Sequence, residues 1–161
     1  MSELLRDQVF LHGSRSAVWA LVHDPQALQR VLPGAERIES TGPATFRGVL
    51  AARIQFLTVR ADVEATLEDA DPPRHIVLRF KGRPHGLAGS FVVVVPFDLE
   101  AVDDPAGGAG GTMASYVVDL TVTGRIASFG APLLQDTLRR VIATLVANVD
   151  AELRGASAPM S

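Results

Sequence analysis

Residues 124–153 read GRIASFGAPLLQDTLRRVIATLVANVDAEL. The apolar members Ile126, Phe129, Leu133, Leu134, Leu138, Val141, Ile142, Leu145, Val146, Val149 and Leu153 step by three, four and one, which places them on one broad face of an α-helix. A helix with so wide an apolar face needs an equally wide surface to cover it. One interruption is written into the run: Pro132 has no amide hydrogen for the Ser128 carbonyl and its ring crowds that carbonyl, so a kink or a restart is expected there.

The partner surface lies upstream, where the period changes from helical to alternating. In residues 58–67, Val59, Ala61, Val63, Ala65 and Leu67 alternate with Arg60, Asp62, Glu64 and Thr66, a strand with one wet and one covered face. Phe46, Gly48, Leu50, Ala52, Ile54 and Phe56 alternate in the same way with Arg47, Arg53 and Gln55, and Ile76, Leu78 and Phe80 with His75, Arg79 and Lys81. Residues 91–99 form the most β-prone run, and 112–123 return with Ala114, Tyr116, Val118, Leu120 and Val122 on one face. Turns are expected at 41–43, 69–73 and 82–89, and the glycine-rich 103–111 reads as a hairpin loop. A short strand at 37–40 and another at 4–11 bring the total to about seven, in an antiparallel meander. Between the first strand and the meander, Ser14 caps a helix carrying Val18, Trp19 and Val22. Asp24-Pro25 opens a second, with Leu28, Val31 and Leu32, that Pro33-Gly34 ends.

The fold class is therefore α+β: a curved antiparallel sheet of about seven strands wrapped around a long C-terminal helix, with two short helices plugging one end. Residues 1–154 form a single domain and 155–161 a short flexible tail. Small residues on the inward face (Gly48, Ala52, Ala61, Ala65, Ala114) leave room for a cavity under the helix; alternatively, the helix's own Leu and Val side chains fill it.

Composition narrows the function. The chain has 161 residues, 47% of them hydrophobic, 15 Lys+Arg against 18 Asp+Glu, and no cysteine. A mildly acidic balance argues against nucleic-acid binding, and the absence of cysteine excludes disulfides, thiol catalysis and cysteine-ligated metals. Glu3, Arg6 and Asp7 interrupt the start before a signal peptide could develop, so the cytoplasm is expected. The histidines His12, His23, His75 and His85 lack metal-ligand spacing, no GxSxG exposes a serine, and Gly107–Gly111 has no following GK[ST]. No metal and no catalytic residue is expected.

The ordered signature is Ser14 to Val22 with Asp24-Pro25, then Leu32-Pro33-Gly34-Ala35, then Gly111-Thr112 with Tyr116 and Asp119, then VTGRIASFG at 122–130. It resembles the START-like (SRPBCC, Bet v 1-type) helix-grip superfamily and, within it, the CoxG family, named for the G subunit of carbon monoxide dehydrogenase. The resemblance implies a hydrophobic ligand cavity and an accessory role beside a molybdenum hydroxylase of the carbon monoxide dehydrogenase type, in membrane coupling and in handling lipid- or quinone-like electron acceptors. After Leu153 only RGASAPMS follows. The extended hydrophobic tail of longer relatives is thus not expected, and transient contact at the inner face of the membrane is the expectation.

Phe46, Leu50, Ile54, Phe80, Phe91 and Tyr116 are the expected cavity lining, closed by Leu134, Leu138 and Val141, with Phe129 and Leu133 at a mouth between 128–133 and the loop around 85–87; alternatively, that segment merely begins the helix, with Pro132 at its first position. Tyr116 is either a hydrogen-bond donor to a ligand or a core tyrosine. Two classes of function follow. One is a non-catalytic carrier of a lipid- or quinone-like molecule, with no cofactor beyond that ligand. The other is a cyclase or dehydratase acting on an apolar substrate in the same cavity, which would need an acid or base inside it; the charged residues alternate outward.

Overall fold

A computed structural model describes residues 2–103 and 110–157. Strand β1 (Ser2–Leu11) leads into two short helices, α1 (Arg15–Val22) and α2 (Pro25–Val31). Six strands follow: β2 (Ala35–Gly42), β3 (Thr45–Ile54), β4 (Leu57–Asp71), β5 (His75–Pro84), β6 (Gly89–Val102) and β7 (Gly111–Gly124). A 3₁₀ turn (Arg125–Phe129) and α3 (Ala131–Ser157) complete the chain. The sheet order is β1-β7-β6-β5-β4-β3-β2 with every neighbour antiparallel, so the first strand lies beside the last and the rest form a meander. This is the helix-grip architecture.

Local chemistry explains the helix boundaries. The Ser14 hydroxyl accepts the Ala17 amide at 3.1 Å and the Asp24 carboxylate accepts the Gln26 amide at 3.0 Å, satisfying donors that a helix start leaves open. Gly34, at φ +75°, turns the chain out of α2. Its carbonyl accepts the Ala51 amide at 2.9 Å, and a Cβ on Gly34 would overlap the Ala51 carbonyl, so glycine is required for β3 to approach.

The expected restart at Pro132 is observed. The 3₁₀ turn ends at Gly130 (φ +88°), and α3 begins at Ala131 with Pro132 in its first turn, where a missing amide hydrogen leaves no gap in the helix.

Several boundaries differ from the sequence reading: β2 begins at Ala35, β4 runs on to Asp71 into the expected 69–73 turn, and β6 spans Gly89–Val102. Strand β5 runs on to Pro84, so the following turn is confined to 85–88. Helix α3 continues to Ser157, so residues 155–157, expected in a flexible tail, extend the helix; residues 158–161 lie outside the described residues. Phe56, expected on the inward face by alternation, is 92% exposed: β3 stops at Ile54, Gln55 takes a positive φ of 56°, and β4 starts at Leu57, so the alternation ends two residues early. Most of the expected 103–111 loop, residues 104–109, lies outside the described residues.

At one end Leu11, Val18, Leu21, Ala27, Val31, Leu99, Ala114 and Leu153 pack into a cluster of α1, α2 and the C-terminal half of α3 against the sheet. Asn148 on α3 donates to the Val31 carbonyl at 3.0 Å, capping α2, and the Thr112 hydroxyl donates to the Gly13 carbonyl at 2.8 Å. At about 1.5–3 kcal/mol for each large aliphatic side chain removed from water, this plug anchors α3. The N-terminal half of α3 packs through Leu134 on Ile54 and Ile126 and through Ile142 on Val93, Val95 and Val118 of the sheet.

Candidate functional site

Under that half of α3 lies an apolar space of about 190 Å³. Strand β3 contributes Leu50, Ala52 and Ile54; β5 contributes Phe80; β6 contributes Phe91; α3 contributes Leu134, Leu138 and Val141. Each comes from an alternating strand position or from the helical stripe, so the periodicities that build the fold also aim these side chains inward. Pro33 of the α2–β2 connection and Ala51 of β3 complete this side of the lining. Arg140 on α3 donates to the Arg53 carbonyl on β3 at 3.3 Å.

The remaining expected lining residues lie elsewhere. Phe46 is buried beside a small adjoining space of about 30 Å³, and Tyr116 beside a second of about 90 Å³ that extends toward Trp19. Phe129 and Leu133 line none of the three. They pack, half-buried, against Ile54, Ile126 and Leu134, and no residue of 128–133 or 85–87 lines the main space. The expected mouth at that place is corrected accordingly.

A preformed site for a drug-sized molecule is usually about 300 Å³ or more, and no one of the three spaces reaches it. All three share the walls Leu32, Leu78 and Phe80, so these side chains are the partitions between compartments that otherwise adjoin.

The chemistry of the lining is nearly uniform. Among the described residues Thr137 is the single polar side chain around the main space, and its hydroxyl already donates to the Leu133 carbonyl at 2.9 Å within the same helix. Sequence reading passed over Thr137 because it sits in the apolar stripe of α3 without belonging to it. Tyr116 is tilted against Phe97, with ring centroids 5.5 Å apart; burial, aided by the charge of Asp7, pushes its phenol above the usual 10. Asp7, exposed on the edge strand β1, pairs in register with Tyr116, and its carboxylate accepts the Gln8 amide at 2.8 Å. The alternation of β1 is too short and too polar at Arg6, Asp7 and Gln8 to reveal that pairing.

The histidines are engaged separately. His12 meets Asp150, His75 meets Asp98 and His85 meets Asp62, while His23 bonds the Trp19 carbonyl. Among the described residues no three His, Asp or Glu side chains converge as metal ligands, and no helix is long and apolar enough to cross a membrane.

The family profile for the G subunit of carbon monoxide dehydrogenase (CoxG) matches residues 9–154. No curated protein sequence is significantly similar. Among solved structures, a conserved protein from Geobacillus kaustophilus superposes with a TM-score of 0.80 at 21% identity, covering 92% of this chain and 93% of that one. A protein from Thermus thermophilus gives 0.66 at 17% identity, covering 98% and 100%. The Zhui aromatase/cyclase from a Streptomyces species gives 0.64 at 14% identity, covering 96% and 95%. At these identities the three share the fold with this chain.

Proposed function

We propose that this chain, which belongs to the CoxG family of carbon monoxide dehydrogenase, is a non-catalytic carrier. It takes the hydrophobic part of a lipid- or quinone-like molecule into the space under α3 and serves a molybdenum hydroxylase of the carbon monoxide dehydrogenase type, with peripheral contact at the membrane. The family name supplies the association with carbon monoxide dehydrogenase; the nature of the ligand rests on the lining.

The carrying observation is the lack of reactive groups. Among the described residues around the main space only Thr137 is polar, and its hydrogen is used. General acid–base chemistry needs a titratable group within reach of the reacting atom. The alternative, a cyclase or dehydratase like the aromatase/cyclase neighbour, would have to use Tyr116, in the adjoining space. A phenol pushed above 10 stays protonated near neutrality, so it donates a hydrogen bond and does not serve as a base.

Because the main space is smaller than a drug-sized ligand, loading requires Leu32, Leu78 and Phe80 to move and join the compartments. The test is binding of a fluorescent apolar dye, followed by competition with a quinone and with a fatty acid. Saturable binding that Ala52→Phe abolishes without unfolding the protein supports the reading. A folded wild type that binds neither dye nor quinone overturns it.

A further inference from the structure

The β3–β4 hairpin tip carries the two large apolar side chains that stand out in the structure: Phe56 is 92% exposed and Leu57 52%. Ile54 and Leu57 are paired across the hairpin, so Gln55 and Phe56 form the turn. Gln55 holds a positive φ, uncommon for a residue other than Gly, Asn or Asp, and this geometry carries Phe56 out beyond the sheet. Directly behind the tip, Ile54 and Val59 line the main apolar space.

The same end of the molecule is basic, although the chain as a whole carries a net charge of -3. Arg53 flanks the tip, Arg83 ends β5, Arg125 follows β7, and Arg139 and Arg140 lie on the N-terminal half of α3, all exposed. Among the described residues Arg53, Arg83, Arg125 and Arg139 have no carboxylate within ion-pair distance, whereas Arg140 is paired with Asp136 at 3.4 Å and Arg60 of β4 with Glu36. Asp62, the neighbouring carboxylate on β4, is taken by His85 at 2.9 Å. At the opposite end of the sheet the carboxylates are matched by cations: Asp71 pairs with Arg74 at 2.7 Å and Asp98 meets His75 at 2.8 Å.

We propose that Phe56 and Leu57 insert into an anionic lipid surface while the surrounding arginines meet its phosphates, bringing the end of the apolar space to the bilayer. A stable protein interface takes roughly 800 Å² per partner with a packed core. Two side chains on a narrow protruding turn do not provide that, whereas a fluid bilayer closes around a protrusion of this shape, and each basic residue near an anionic surface adds about 1 kcal/mol. The opposite end of the sheet would then face away from the lipid. The proposal rests on the carrier reading for its purpose and deepens it by naming the membrane-facing surface, but its test needs no ligand.

The experiment is co-sedimentation with vesicles of phosphatidylcholine alone and of phosphatidylcholine with phosphatidylglycerol, across a salt series. Wild type is expected to bind the anionic vesicles and to release as salt rises. Phe56→Ser with Leu57→Ser should lower that binding by about tenfold or more, and Arg53→Glu with Arg125→Glu should abolish the preference for phosphatidylglycerol. Both double variants are expected to retain dye binding in solution, which shows that they are folded. Failure of wild type to bind either vesicle, wild-type binding by the serine variant, or a dimer that the serine variant dissociates would each overturn the proposal. Vesicle binding without dye binding would leave this proposal supported and the carrier reading overturned.

Discussion

Nδ1 of His12, just past the end of β1, lies 2.8 Å from Oδ1 of Asp150 on α3, and the same oxygen accepts the His12 backbone amide at 2.8 Å. Arg154 approaches Asp150 at 3.1 Å from the next turn of the helix. Residues 138 positions apart are thereby tied at the α1–α2 end of the molecule, beside Leu153 packed on Gly13. These bonds hold the C-terminal half of α3 to the end of β1, and its N-terminal half lies over the main apolar space.

Asp150→Ala should therefore lower stability by about 1–3 kcal/mol near neutral pH, read as a lower urea midpoint with an unchanged slope. The pH dependence has a defined sign. Partial burial raises the Asp150 pKa, but the His12 hydrogen bonds and the charges of His12 and Arg154 outweigh it and hold the carboxyl below its usual 3.8. A depressed pKa contributes stability above the unfolded value, and that contribution disappears as pH falls through the folded one. The gap between wild type and Asp150→Asn should narrow from about pH 5 downward; parallel profiles would show that the carboxylate contributes nothing.

Gly82 on β5 is pinned under the Phe91 ring of β6, its register partner, and a Cβ there would overlap the ring. Gly82→Ala should push Phe91 toward the main space that it lines. Dye affinity should fall, with a stability cost of about 1–3 kcal/mol from overpacking. Unchanged affinity in a destabilised variant would mean that the ring moves away from the space and that Phe91 does not border the ligand.

Thr137→Val replaces the hydroxyl that borders the main space with a methyl of similar size. That hydroxyl bonds the carbonyl of its own helix, which retains its backbone partner without it. Stability should change by less than about 1 kcal/mol, and affinity for a fully apolar dye should hold or rise. A large loss of quinone affinity with dye affinity intact would show that a quinone oxygen uses Thr137.

The long-range architecture was readable because each element repeats its signal many times. The stripe on α3 and the alternation of β4 and β7 place inward residues such as Leu138, Ala61 and Tyr116 without ambiguity. What escaped was decided by single residues. One positive φ at Gln55 turned Phe56 outward, and the pairing of Asp7 and Tyr116 depends on the β1–β7 register. Nor could periodicity divide one inward face into three compartments: Phe46, Phe80 and Tyr116 share the covered side of the sheet, yet only the packing of Leu32 and Leu78 against Phe80 separates the spaces they border.

That partition can be tested directly. Phe80 borders all three spaces, and Phe80→Ala should merge them. Removing a large buried ring typically costs about 3–5 kcal/mol, but Phe80 is only half-buried and already faces voids, so the cost should lie at or below the lower end of that range. If the compartments must join for loading, the variant starts closer to the loaded arrangement, and its affinity for a bulky apolar ligand should rise relative to a small one. Calorimetry with a short and a long alkyl chain separates the outcomes. A selective gain for the long chain supports a partition that loading must displace, whereas equal losses for both chains would assign Phe80 to direct contact with a ligand confined to the main space.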